Sequence, residues 1–462
     1  MSSLRRPLHG LWSGSAVFVL AVAGLAIGLG NFWRFPALAG NHGGGYFVLA
    51  YVVCMLMLGL PLLVAEVALG RRGRRSAALS LAEIAGEEGR HRIWQVFGWA
   101  GALAAVLLVS TYGVVGGWIL GYIFRVAGGA FVHADPLEAA DAFQSFVRDP
   151  ERLLAWHTLF IAVVVMVVGR GVRWGLEEAV RWFMPMLLGI LAVLVVYTVL
   201  EADWRFAVRE LFWPAADELS LKTLGLALQQ AFYSLSLGVG AVLCYGAYLD
   251  SKASIARVSI AAVVLDLAVA LLAAVLIFAI LAQSGGMGLA WHSGPELIFQ
   301  ALPLAFGQMS NGTWFGTLLF LMLAFAAWTS AIALLEPAVA LLVERFELDR
   351  PTAASYLGLI VWALGLVSLL SFNLWEHVRP LGEWARFRDS TPFDLVNFMA
   401  ANILLPVGGF GLAVFAGWRV SRMTLQLELG SGRMFGLWLI SVRFLVPVAA
   451  VLVFLQGLGY LT

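Results

Sequence analysis

Charge is scarce in this chain. Only 12% of its 462 residues are Asp, Glu, Lys or Arg, and the formal net charge is +1. Soluble globular chains carry about a quarter charged residues, so a soluble enzyme and a disordered protein are both excluded. The balanced charge offers no footing to a polyanion, which excludes a nucleic-acid partner. Cysteine is nearly missing: Cys54 and Cys244 are the only two. Both lie in apolar runs, so they form no disulfide framework for an exported domain. A phosphate-binding loop, a metal-ligand cluster and a catalytic triad are all lacking, and the expectation is that the protein is not an enzyme.

Apolar residues are what the chain has in excess. They make up 61% of it, with a mean hydropathy of +0.89. One helical span needs about 20 apolar residues. Eleven apolar segments lie near 15–39, 45–69, 93–126, 153–169, 178–200, 222–249, 254–283, 313–343, 353–372, 393–418 and 434–458. The fold class expected is therefore an all-α membrane protein of eleven transmembrane helices. It is one transporter-sized domain over 1–462, with the lipid bilayer as its surroundings and no room for a soluble module in the loops. The first segment follows Arg5 and Arg6 and ends in no small-residue cleavage site, so it reads as a retained span.

Loop charge sets the direction. With the N-terminus inside, the inner loops hold about twice as many Lys and Arg as the outer ones, which favours a cytoplasmic N-terminus and an external C-terminus. The 284–312 loop has neither Lys nor Arg, as befits an outer loop. Its stretch PELIFQALPLAF is expected to fold back as a helix over the protein.

Two segments are interrupted in a way that lipid punishes. The first is AGLAIGLGNFWRFP, residues 23–36, where Gly24, Gly28 and Gly30 are followed by Asn31, Arg34 and Pro36. The second is QQAFYSLSLGVGAVLCYG, residues 229–246, where Ser234 and Ser236 precede Gly238 and Gly240. A helical glycine costs about 1 kcal/mol relative to alanine. Close helix packing is one use for such glycines. The other is an unwound turn, tolerated at membrane depth only where protein or a water-filled cavity satisfies the backbone. Segments one and six are corresponding positions in two five-helix halves, and paired interruptions of this kind point to an inverted-repeat transporter with a midplane site. An unwound turn frees carbonyl oxygens for a small cation such as Na⁺ and amide N–H groups for a carboxylate.

At these residues the chain resembles the neurotransmitter:sodium symporter family. The likeness is densest at GLAIGLGNFWRFP, at NHGGGYFVLAYVVCMLMLGLPLLVAEVALGR (41–71), at AFYSLSLGVGAVLCYGAY (231–248) and at AAWTSAIALLEP (326–337). Eleven spans rather than twelve is similar to the shorter bacterial members. The resemblance implies a five-plus-five inverted repeat with broken helices 1 and 6, the halves near 12–200 and 222–420 and an extra helix near 434–458. It also implies sodium-coupled symport of a small-molecule amino acid by alternating access, at the inner membrane of a bacterial cell.

The site residues follow from the same resemblance. It implies two Na⁺ sites. The first would use the Ala26 carbonyl, Asn31, Ser234 and Asp266. The second would use the Gly24 and Ile27 carbonyls with Ala326, Thr329 and Ser330. The last three share one helical face at i, i+3 and i+4, although Thr329 and Ser330 have a second reading, back-bonding to their own helix. The substrate carboxylate would meet Tyr112 and the turn at Ala26, Gly28, Leu29 and Gly30, close to Ser234 and Ser330. Leu108, Tyr233, Ser236, Val239 and Leu334 would line the side-chain part of the pocket. That lining is mainly apolar, so a neutral, hydrophobic amino acid fits best.

Asp266 stands in AVVLDLAVALL, otherwise without charge, and an ionisable residue inside a span is a functional hypothesis by default. Family members that bind chloride place a neutral residue here, so Asp266 would supply the negative charge and transport would be chloride-independent. A proton returning on Asp266 in the empty carrier stays open. So do a proton-coupled amino acid or amine/betaine carrier of the same fold and a non-transporting amino acid sensor. Glu66, a second intramembrane acid, reads as a member of a buried network near the breaks.

The gates complete the expectations. Outside, Arg34 would meet an acid on the tenth helix, where the matching position is Asn397 and Asp394 lies one turn earlier; Tyr233 would be the aromatic lid. Inside, Trp12 would close the path with Tyr248 and Glu344. The arginine expected three residues before Trp12 is His9, so Arg5 or Arg6 would substitute.

Overall fold

The computed structural model describes residues 8–213, 220–283 and 294–460. Among them nine unbroken helices are long and apolar enough to cross a membrane, and one bent pair makes a tenth span. The bent pair is α1 (Ser15–Ala26) with α2 (Leu29–Asn41), inclined by 63°. Then follow α3 (Gly45–Gly73), α4 (Arg92–Ala127), α5 (Pro150–Gly169) and α6 (Val172–Glu201). The sixth apolar segment is divided into α7 (Leu221–Ser234) and α8 (Ala241–Ala247). After it come α9 (Ile255–Ala282), α10 (Gly312–Phe346), α11 (Arg350–Leu370), α12 (Pro392–Arg419) and α13 (Arg433–Gly457). With α7 and α8 taken as one divided span, the eleven expected segments are all present as helices.

The apolar loop stretch is helical over Leu297–Gly307 and buries Phe299, Leu302 and Phe306. That agrees with a helix folded back on the protein. The preceding 284–293 lie outside the described residues.

α4 and α10 occupy the middle: 78% and 83% of their apolar windows are buried, against 33% for α5 and α6. The outer faces of the rim helices expose Trp182, Val193, Val196 and Met166. An apolar surface this extensive has no place in water and marks a lipid-facing wall. α1, α2 and α8 sit against α10, while α7 packs on α3. α4 closes on both breaks, through Tyr112 at the first and Gly101 at the second, so the non-helical backbone is enclosed by protein, as membrane depth requires.

α1 stops at Ala26 because Ile27 (ψ 79°) and Gly28 (φ −113°, ψ −170°) leave helical geometry. Pro36 falls in the first turn after Arg34, where a missing N–H is harmless. The second break is more demanding. Ser236, Gly238 and Gly240 all have positive φ, at 49°, 87° and 82°. A Cβ at Gly238 would lie 2.3 Å from the Leu405 carbonyl oxygen and 2.4 Å from the Gly409 nitrogen. The break is thus pressed main chain to main chain against α12. Glu66 on α3 accepts the Gly238 N–H at 2.8 Å, satisfying a donor that the broken helix has released.

Candidate functional site

The first break brings three polar side chains together in the dry interior. Asp266 on α9 is fully buried, Asn31 is 1% exposed and Ser234 is 6% exposed. The Asn31 amide donates to Asp266 Oδ1 at 2.7 Å, and the Ser234 hydroxyl donates to Asp266 Oδ2 at 2.9 Å. Tyr51 on α3 donates to Ser234 Oγ at 3.2 Å. Asp266 thus meets only neutral donors here. A carboxylate at such depth is costly unless a cation offsets it. The oxygens of Asp266, Asn31 and Ser234 are hard donors of the kind small alkali ions take, so this set fits a Na⁺ cargo ion.

A second group lies where α1 crosses α10. Ser330 Oγ donates to the Gly24 and Leu25 carbonyls, each at 3.2 Å. Thr329 packs on the same turn: a Cβ on Gly24 would sit 3.3 Å from the Thr329 Cβ and 3.1 Å from the Met184 sulfur. Thr329 Oγ1 donates to the carbonyls of Phe325 at 3.0 Å and Ala326 at 3.1 Å, so its proton is back-bonded to its own helix while its lone pairs remain. Ala326 and Ile27 are buried in the same core. Of the expected second-site residues, Gly24, Ala326, Thr329 and Ser330 are thus brought together, with Leu25 adding a carbonyl beside that of Gly24.

Tyr112 on α4 reaches the first break directly. Its hydroxyl oxygen accepts the Leu29 N–H at 2.9 Å. A Cβ on Gly28 would come within 2.8 Å of that oxygen and 3.0 Å of Ser330 Oγ. Only glycine leaves this space, whereas a Cβ at Gly30 would meet nothing within 4 Å. Leu108, Tyr112, Tyr233, Ser236 and Gly30 are half-buried, while Ala26, Leu29, Val239 and Leu334 are buried. The break thus offers a small polar corner at Tyr112 next to apolar walls.

Where the outer gate is expected, the pairing differs. Arg34 does not meet Asp394 or Asn397, which are both exposed. Asp394 instead caps its own helix, accepting the Thr391 N–H at 2.9 Å and hydroxyl at 2.7 Å. Arg34 donates to Gln229 at 2.6 Å and Gln230 at 3.0 Å, and its guanidinium lies 4.6 Å from the centre of the Tyr233 ring. The Tyr233 hydroxyl donates to Asn402 at 2.6 Å. Gln229, Gln230 and Asn402 were not foreseen. Gln229 and Tyr233 are four apart on one helix face, which was the available signal.

Where the inner gate is expected, Trp12 is buried, at 4% exposed. Its N–H donates to the Tyr248 carbonyl at 3.0 Å and its indole N–H to the Tyr245 carbonyl at 3.1 Å. Tyr248 donates its hydroxyl to Glu336 at 2.7 Å, and Arg350 pairs with the same carboxylate. Glu344 takes the Ser76 N–H at 2.9 Å and bonds His9 Nε2 at 3.0 Å. His9 Nδ1 faces Arg350 Nη1 at 3.3 Å. Arginine only donates, so Nδ1 accepts and the ring proton on Nε2 goes to Glu344. His9 itself thus stands where an arginine was expected; Arg5 and Arg6 lie outside the described residues. Tyr248 and Glu344 join different parts of this cluster, bridged by His9 and Arg350. Glu336 and Arg350 were not anticipated, although Glu336 is an intramembrane acid inside a quoted motif.

The comparisons with known proteins bear on this geometry. The model of the sodium:neurotransmitter symporter family matches residues 9–134 and 137–374. The uncharacterized sodium-dependent transporter YhdH of Bacillus subtilis is 33% identical over 456 residues, spanning 98% of this chain and 98% of that protein. An uncharacterized sodium-dependent transporter of Haemophilus influenzae is 27% identical over 97% of this chain and 98% of its own length. Among solved structures, MhsT in complex with L-phenylalanine superposes with a TM-score of 0.86 at 33% identity, covering 97% of this chain and 99% of that one. With this breadth of match behind the two broken helices, the chain belongs to the sodium:neurotransmitter symporter family.

Proposed function

We propose that this protein is a Na⁺-coupled symporter that carries a neutral, hydrophobic amino acid inward by alternating access. The observation that carries this reading is Asp266, buried at the meeting of both breaks with only neutral hydrogen-bond donors on its carboxylate. A Na⁺ ion held by Asp266, Asn31, Ser234 and the Ala26 carbonyl supplies the missing positive charge. A second ion is held by Thr329, Ser330 and the carbonyls of α1. Tyr112 accepts the Leu29 N–H and so keeps its own proton for the carboxylate of a substrate. Leu108, Tyr233, Val239 and Leu334 take the substrate's apolar side chain. The two halves near 12–200 and 222–420 form inverted repeats around this site, with the N-terminus cytoplasmic and the C-terminus external. MhsT, a similar protein, was solved with L-phenylalanine, which supports an amino acid as the cargo.

Uptake by purified protein in liposomes tests this. L-phenylalanine and L-leucine should accumulate under an inward Na⁺ gradient and not under a K⁺ gradient. Replacing chloride by gluconate should leave the rate unchanged, since Asp266 already supplies the anion. Saturable uptake that ignores Na⁺, or follows a proton gradient alone, overturns the coupling.

The inner cluster holds the cytoplasmic path shut in this reading. Cys244 on α8 is fully buried beside Tyr245 and serves as a native reporter. Glu344→Ala removes the acceptor of both His9 and the Ser76 amide, a loss of about 1–3 kcal/mol. In a Cys54→Ser background it should speed alkylation of Cys244 roughly tenfold. An unchanged alkylation rate removes Glu344 from the closure.

A further inference from the structure

We propose that an uncharged latch between Tyr233 and Asn402 controls release of cargo to the outside, with Asn402 as its positioning residue. The inference rests on the transport reading above and adds a residue to it. Asn402 lies in the π-bulged stretch Met399–Leu404 of α12, and bulges of this kind recur at functional sites. Its amide oxygen accepts the Tyr233 hydroxyl at 2.6 Å, and the Gln229 amide donates to the same hydroxyl oxygen at 3.3 Å.

The amide is backed by α13. A Cβ on Gly457 would lie 3.0 Å from the Asn402 Cβ and 3.3 Å from its Cγ, so the side chain has little room to retreat on that side. The consequence reaches Arg34. Its guanidinium lies on the face of the latched Tyr233 ring and is gripped from α7 by Gln229 and Gln230. α2, α7 and α12 are therefore tied through one phenol, with no carboxylate in the tie. A phenylalanine at 233 would keep the ring and its cation–π contact but lose the link to α12.

The latch must be undone before α12 and α7 can part on the outer side. Tyr233→Phe keeps the ring that faces the cargo, and Asn402 is not among the residues that hold it, so removing the latch should chiefly make the cargo easier to release. The loss of one hydrogen bond corresponds to an increase in dissociation rate of about three- to tenfold.

The test uses the full chain. Labelled L-phenylalanine is bound in Na⁺, and its dissociation is followed on dilution for wild type, Tyr233→Phe, Asn402→Ala, Asn402→Asp and the Tyr233→Phe/Asn402→Ala double variant. In parallel, Gly30→Cys in a Cys54→Ser background is labelled in liposomes with an impermeant thiol reagent, with and without the latch substitutions. This second arm needs no substrate. Tyr233→Phe and Asn402→Ala should each speed both dissociation and thiol labelling at position 30, to the same extent. The double variant should be no faster than either, and Asn402→Asp, which keeps the acceptor, should hold the wild-type rate. Tyr233→Phe preserves volume, so it decides the matter even if Asn402→Ala folds poorly. Multiplicative effects in the double variant, or an unchanged labelling rate in Tyr233→Phe, overturn the latch. Wild type that fails to bind L-phenylalanine overturns the cargo assignment instead, while the labelling arm still judges the latch.

Discussion

Asp266→Ala is expected to abolish the dependence of uptake on Na⁺ at ordinary concentrations. Asn31 and Ser234 both donate to this carboxylate, so the substitution removes the charge and strands two buried donors. Removing one partner of a buried charge interaction costs about 3–5 kcal/mol. At roughly 1.4 kcal/mol per decade, that shifts the half-saturating Na⁺ concentration by two orders of magnitude or more. Asp266→Asn separates the two contributions. It keeps one acceptor oxygen and loses the charge, so it should fall between wild type and Asp266→Ala. The measurement is the Na⁺ titration of L-phenylalanine binding. A titration that Asp266→Ala leaves in place would mean that the ion is held elsewhere.

Gly238→Val carries the largest expected effect on assembly. The residue has φ 87°, and a Cβ there would sit 2.3 Å from the Leu405 oxygen. A left-handed β-branched residue is strained by about 1–2 kcal/mol on its own. The clash comes on top, and its other party is backbone, which cannot rotate away. The total should exceed about 3 kcal/mol. Loss of the monodisperse peak on size exclusion, or a thermal midpoint lowered by many degrees, reads it out. Gly30→Ala is the contrast, because nothing lies within 4 Å of its added methyl, and it should assemble normally. Equal behaviour of the two variants would mean that the second break can relax away from α12.

The fold was legible because its signals are local or compositional. Apolar runs gave the helices, and glycine followed by Asn31, Arg34 and Pro36 gave the first break. Asp266 stood out as the one charge in its run, and its neighbours follow from the family pattern. Pairings across helices were harder. Arg34 was expected to seek an acid, yet amides one turn from Tyr233 take it. Which polar side chain reaches a cation depends on the rotation of α7, and that is fixed by packing that no residue pattern records. The fate of Asp394 was readable in hindsight: Thr391 and Asp394 have the spacing of a capping box, which commits the carboxylate to its own helix. The inner cluster was half legible. Trp12 and Glu344 stand out in the sequence, whereas Arg350, which pairs with Glu336, does not.

Trp12 is three positions ahead of Ser15, where α1 begins. With so short a tether, α1 has no slack to tilt while the indole remains seated between Tyr245 and Tyr248. In the proposed transport cycle the indole and α1 would therefore move as one body, and release past Trp12 would be a single cooperative step. A compound wedged into that seam would freeze the cycle without ever touching the cargo.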